Sequence, residues 1–226
     1  VVTLDAETFF NEDSGYSLRD IHSDEYIADP QFRVHFWTVQ QPGDAEATII
    51  RDEAGMKAYI AARREEAAAS GKPLLLAAHN ASFDARIMAE KYGLDVEGDE
   101  RWVDTLDLFR AAEPNAGMAE NGYASHKLEV MSAHLLEQGA KGVKPKNSAA
   151  NAAMSGKLMP GSDAAGITAT AEEVAAFEDY AKNDTSVVLA ALEHFDPSPE
   201  RFVGVSNALN NVRRNKPGAL NGYTQA

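Results

Sequence analysis

The sequence predicts an α/β domain, a mixed β-sheet flanked by helices, and three observations predict it. Val1 to Thr8 is a short β-rich run, and two further strand-like runs follow it, so the sheet starts antiparallel. Pro73 to Ala78, Pro-Leu-Leu-Leu-Ala-Ala, is short and wholly apolar, as expected for a strand covered on both faces. From there strand-like and helix-like stretches alternate, the order of an α/β fold.

With 226 residues, the chain suits one sizeable core and not two. It contains no cysteine, so disulfides and thiolate metal sites are excluded, and any metal must be held by oxygen or imidazole. This fits a cytoplasmic protein. No apolar run approaches the length that spans a bilayer, no leader pattern precedes Val1, and no membrane partner is expected. The start without methionine suggests a trimmed or renumbered chain. The net charge is 21 − 35 = −14, which repels a polyanion at long range and argues against generic nucleic-acid coating. Two windows depart from that average. Gln138 to Ser162 carries Lys141, Lys144, Lys146 and Lys157 without an acid, and Arg201 to Ala226 carries four cations, again without one.

In order, Phe9 to Pro30 is polar and reads as a long irregular connection. Arg33 to Val39, with Phe36 and Trp37, is a strand, and Ala47 to Ile50 is its hairpin partner. Ala54 to Ala69 is a helix closed by Gly71. After the apolar strand, Ala85 to Tyr92 is helical and stops at Gly93, with Asn80 or Ser82 able to cap it. Trp102 to Thr105 is a strand and Leu106 to Ala112 a helix ended by Pro114; Glu113 to Ala124 is loop. Ser125 to Gln138 has Leu128, Met131, Leu135 and Leu136 at helical spacing. Gly139 to Gly166 is rich in Gly, Pro, Ser and Asn and reads as a mobile basic loop or flap. The last helix opens on a capping box pairing Thr170 with Glu173 and runs to about Phe195. The domain therefore covers 1–196, and a basic tail covers 197–226.

Chemistry concentrates at three places. Asp5 and Glu7 are two apart on a strand, so both carboxylates point to one face. Taken alone, the pair fits an acidic strand end running into solvent; the rest of the chain favours a hard divalent cation between them, because such ions take oxygen ligands. His79-Asn80-Ala81-Ser82-Phe83-Asp84 spans a strand-to-helix junction, where α/β sheets build their sites. Asp104 falls at the next such junction and is a weaker candidate. On the last helix, Asp184 interrupts an apolar stripe through Phe177, Ala181, Val188, Ala191 and Phe195, and a core-facing carboxylate needs a partner. Tyr180 lies one turn earlier, on the same side.

Asp5-Ala-Glu7, His79-Asn-Ala-Ser-Phe-Asp84 and Tyr180-Ala-Lys-Asn-Asp184, in that order, resemble the three motifs of the DnaQ-like 3′–5′ exonucleases. The third motif resembles the DEDDy branch, which carries tyrosine there. The run from Leu4 through Val39 and the Trp-Val-Asp104-Thr-Leu segment further resemble the proofreading domain of bacteriophage family A DNA polymerases. The resemblance covers residues 1 to about 195 and fails in the basic window and the tail. It implies a ribonuclease H-like fold and a two-metal hydrolysis. Asp5, Glu7 and Asp184 would hold one divalent ion, Mg2+ or Mn2+, and Asp5 with Asp84 the second. Tyr180 would help orient the attacking water. Two such cations, roughly 4 Å apart, also neutralise acids that would otherwise repel each other.

Thr8 and Phe9 would then lie against the terminal nucleotide of a single-stranded DNA 3′ end, with Asn80 and Phe83 nearby. The lysines of the basic window, Lys141, Lys144 and Lys146 among them, would flank the substrate path. The chain is too short to polymerise DNA. It is therefore a free-standing exonuclease, a proofreading subunit docking on a separate polymerase, or an excised domain. A catalytically idle docking module and an RNA-trimming enzyme are the alternatives.

Overall fold

The computed structural model describes residues 1–95, 100–118, 122 and 124–195. The basic tail expected at 197–226 lies outside the described residues. Among the described residues, seven strands and seven α-helices follow in the order β1 (Val2–Thr8), α1 (Ser23–Ala28), β2 (Val34–Gln40), β3 (Thr48–Ile50), α2 (Glu53–Ser70), β4 (Leu75–Ala78), α3 (Ser82–Tyr92), β5 (Arg101–Asp104), α4 (Thr105–Ala112), α5 (Leu128–Glu137), α6 (Ser148–Ala152), β6 (Lys157–Leu158), β7 (Ile167–Thr168) and α7 (Ala171–Phe195). The main sheet has the order β3-β2-β1-β4-β5, antiparallel on the β2 side of β1 and parallel on the β4 side. This is the mixed sheet the sequence predicted.

Strand alternation sends the residues of β1 to two different layers. Val2, Leu4 and Ala6 pack into a large apolar cluster with Trp37, Val39, Met56, Ile60, Ile87 and Met88, which joins the sheet to α2 and α3. The other face carries Thr3, Asp5 and Glu7, and α7 crosses it. Phe36 of β2 meets Phe177 and Tyr180 there, with the Phe36 and Phe177 ring centroids 5.3 Å apart. Farther along, Leu75 and Ala77 of β4 pack against Val188 and Leu192. Burying large apolar side chains on both faces contributes roughly 1.5–3 kcal/mol each.

The helix ends follow their sequence signals. Gly71 and Gly93 adopt left-handed conformations that terminate α2 and α3, as glycine does without steric cost. The capping box of α7 is reciprocal: Glu173 N donates to Thr170 Oγ1 at 3.2 Å, and Thr170 N donates to Glu173 Oε2 at 2.9 Å.

The structure differs from expectation in three places. The connection after β1 contains α1, whose Tyr26 and Ile27 are buried beneath the end of β1. The segment 139–166 is not one irregular loop, because it carries α6 and β6 and buries Ala150, Met154 and Leu158. At α3, neither Asn80 nor Ser82 caps the helix: the cap position is Ala81, without a side-chain bond. Among the described residues no helix is long and apolar enough to cross a membrane.

Candidate active site

The site forms where β1 outruns β4. Parallel pairing between them covers only Val2 with Leu76 and Thr3 with Ala77, whereas β1 stays paired with β2 through Thr8. Beyond Thr3 the β4 side of β1 is therefore unpaired, at the ends of two parallel strands, the usual location of sites in open α/β sheets. A register shift between Glu7 and Thr8 bends the strand at the same point.

Asp5, Glu7 and Asp184 converge from β1 and α7, with one carboxylate oxygen from each lying within 4.8 Å of the others. Asp184 is 3% exposed, and its Oδ1 is buried with no hydrogen-bond partner among the described residues. A buried oxygen left without a donor costs about 1–3 kcal/mol, so Oδ1 is the oxygen of this carboxylate open to a further electropositive ligand.

Asp84 enters from the first turn of α3. Its Oδ1 accepts the Ala6 N–H at 3.0 Å, the backbone donor between Asp5 and Glu7. The turn that delivers Asp84 is held by Asp104, whose Oδ1 accepts both Asn80 N at 2.9 Å and Leu106 N at 3.0 Å. Asp104 thus caps α4 and pins the His79–Asp84 turn, so the weaker candidate of the sequence is a structural brace. Asn80 adopts φ 64, a left-handed conformation that asparagine tolerates better than most residues. His79 spans the same junction: its Nε2 donates to His126 O at 3.0 Å, and Nδ1 lies 3.2 Å from Thr105 Oγ1. Burial holds its pKa down to about 3, so the ring is neutral.

A buried polar seam fixes the register of α7 against the sheet. Thr38 stands opposite Asp5 in the ladder, and its hydroxyl bonds to Thr185 Oγ1, next to Asp184. Ser186 Oγ donates to Gln40 Oε1 at 3.0 Å, one position further along. The sequence reading missed these residues, although polar residues within a helix's buried stripe were the available signal.

Of the three lysines expected at the site, one reaches it. Lys146 Nζ lies 3.0 Å from Asp184 Oδ2 and 5.1 Å from the centroid of the Tyr180 ring. Lys144 is exposed and pairs with Asp179 at 2.8 Å, and Lys141 is exposed on the surface. Lys157 forms an ion pair with Glu173.

Electrostatics follow from packing four acids into a dry space. Burial, then the Asp184 charge, pushes Asp5 up to about 7. Burial and then Asp5 raise Glu7, and the same two causes raise Asp84. Asp184 is raised by burial against the opposing pull of Lys146. Tyr180 is raised by burial and then by Asp184, Glu7 and Asp5, so its phenol stays protonated beside the acids.

The expected substrate contacts divide. Asn80 is exposed and Phe83 is partly exposed beside the carboxylates. Thr8 Oγ1 bonds to Tyr26 OH at 2.8 Å. The Phe9 ring is 8% exposed and packs against Tyr16 and His35, so it supports the floor and is not free to stack on a base.

No family model matches the chain, and no curated protein does. Among solved structures, one similar to it is NrnC of Brucella melitensis bound to pGG, with a TM-score of 0.51 and 15% sequence identity. The match covers 93% of this chain and 79% of that one. The chain shares that structure's fold, a ribonuclease H-like mixed central sheet flanked by helices.

Proposed function

We propose that this chain is a divalent-metal-dependent 3′–5′ exonuclease that shortens single-stranded ends one nucleotide at a time. The observation that carries this reading is the buried, unpartnered Asp184 Oδ1 facing Asp5 and Glu7 within 4.8 Å. The residues fit a hard divalent ion, because every ligand atom is a carboxylate oxygen and one of them, Asp184 Oδ1, is buried without a hydrogen-bond partner among the described residues. Asp5, Glu7 and Asp184 would hold one ion and Asp5 with Asp84 a second. Held there, divalent ions would supply activation of a water on one side of a phosphodiester and stabilisation of the leaving oxygen on the other.

The chain's own residues supply position. The Ala6 N–H fixes Asp84 beside β1, and the Thr38–Thr185 contact fixes the turn of α7 that bears Asp184. Tyr180 keeps its proton and turns its phenol toward Asp184, where it would also face an attacking water. In the reaction, a water oxygen bonds to phosphorus, the bond from phosphorus to the 3′ oxygen breaks, and that oxygen leaves protonated. Asn80 and Phe83, at the rim, would meet the terminal nucleotide, with stacking and phosphate contact gripping a frayed end without reading its bases.

DNA is the first substrate to test, since the run from Leu4 through Val39 and the Trp-Val-Asp104-Thr-Leu segment resemble a phage polymerase's proofreading domain. That resemblance would make a DNA polymerase the natural partner. A second reading, trimming of RNA or of very short oligonucleotides, is favoured by the pGG of the NrnC structure. The test uses 5′-labelled single-stranded DNA, matched RNA and a dinucleotide, with Mn2+, with Mg2+ and with EDTA, on the wild type and Asp5→Ala. A metal-dependent ladder shortening from the 3′ end, lost in Asp5→Ala, is expected, and the preferred substrate separates the two readings. A folded protein that cleaves none of them with metal present would contradict the proposal and favour a docking module.

A further inference from the structure

Lys146 is built into the carboxylate cluster, and the site reading does not use it. Its side chain is 15% exposed and its ammonium lies 3.0 Å from Asp184 Oδ2, on the acid whose other oxygen is buried without a partner. It also lies over the face of Tyr180. A lysine seldom enters such a place from an irregular segment unless something holds it there.

The segment that carries it is fastened by Asn183, the neighbour of Asp184. Asn183 Oδ1 accepts Lys144 N at 2.8 Å and its Nδ2 donates to Lys144 O at 3.0 Å, so one side-chain amide pairs with the backbone as a strand would. Ser132 Oγ adds a bond to Lys144 O at 3.3 Å, and Lys144 Nζ ties to Asp179. Pro145 then fixes the backbone between this clamp and Lys146. The segment is fastened at Lys144, two residues before the ammonium, and Lys146 itself is held by its contacts with Asp184 and Tyr180.

We propose that Lys146 is a resident cation of the ion site: it neutralises the Asp184 end of the cluster when no divalent ion is bound and is displaced when one binds. This rests on the reading of the cluster as a divalent-ion site. A monovalent ammonium and a dication cannot both sit against Asp184 at full strength, because like charges a few ångströms apart repel by several kcal/mol even at an effective permittivity of about 20. Lys146 thereby acts as a positioning residue, keeping the acids assembled before the ion arrives at the cost of ion affinity. The clamp at Lys144 limits how far it can withdraw.

Mn2+ titration at pH 8, followed by electron paramagnetic resonance of the free ion, tests this on the wild type, Lys146→Met and Lys146→Arg. Lys146→Met should bind Mn2+ at least about tenfold more tightly, and Lys146→Arg close to the wild type, given the size of a nearby unit charge. Equal or weaker binding by Lys146→Met, with the wild type binding Mn2+, would overturn the proposal and leave the exonuclease reading intact. If folded wild type and variants alike bind no Mn2+, the metal site itself is refuted, and this inference with it. Amine footprinting of the wild type needs no variant: labelling of Lys146 with acetic anhydride should rise several-fold on adding Mn2+, while Lys141 stays constant. Unchanged Lys146 labelling under saturating Mn2+ would also overturn it.

Discussion

The two faces of β1 are made by the same seven residues and do opposite things. Val2, Leu4 and Ala6 enter a dry cluster with α2 and α3, where each side chain lowers the free energy of the fold. Asp5 and Glu7 face α7, where burial without an opposite divalent charge raises it. Alternation alone, with period two, separates a stabilising face from a costly one over a distance of one residue. The costly face persists because apolar packing below it and the Thr38–Thr185 seam beside it hold the acids where they would otherwise separate. Stability and site chemistry are thus carried by neighbouring positions and can be changed independently.

Breaking the costly face should have the largest effect. Asp5→Asn should lower exonuclease activity by about 10³-fold, since the lost transition-state stabilisation amounts to several kcal/mol at about 1.4 kcal/mol per decade. Its metal-free form should melt no lower than the wild type at pH 8, because a buried charge has been removed. Breaking the dry face is the mirror experiment: Leu4→Ala should cost roughly 2–5 kcal/mol in urea unfolding while the folded fraction retains its Mn2+ affinity. A loss of ion affinity in Leu4→Ala would show that the faces are not separable.

The pH dependence sharpens the same contrast. Asp5 titrates at about 7 in the fold against an ordinary 3.8, so between those values the folded state binds more protons than the unfolded one. Stability contributed by this group is present below 3.8 and is lost as pH rises through about 7. Metal-free protein should therefore melt lower at pH 8 than at pH 5, and added Mn2+ should reverse the order; a metal-free stability that rises over this interval would contradict the account. The smallest effect belongs to the seam. Thr185→Val should cost about 1 kcal/mol, the net worth of one hydrogen bond, read from the urea midpoint.

Much of this was legible in the sequence, for physical reasons. β1, β4 and α7 carry strong periodicity and clear end signals, and Asp184 was visible because it interrupts an apolar stripe. The ordered spacing of Asp5, Glu7, Asp84, Tyr180 and Asp184 carried the fold resemblance that the structural match supports. What was not legible depends on tertiary partners. α1 is six residues of mostly polar sequence with only Tyr26 and Ile27 buried, and its helix is settled by packing beneath β1. α6 and β6 are too short to show a period, and Met154 becomes core only because Phe36 and Phe177 lie against it. The lysines looked alike in sequence, and Lys146 is singled out by its tertiary contacts with Asp184 and Tyr180, two residues beyond the point where Asn183 fastens the chain.

The most direct test of the central claim is anomalous scattering from crystals of the wild type grown or soaked with Mn2+. The account predicts two strong peaks, one among Asp5, Glu7 and Asp184 and one between Asp5 and Asp84. Mn2+ found only elsewhere, with these four carboxylates ordered and bare, would contradict it.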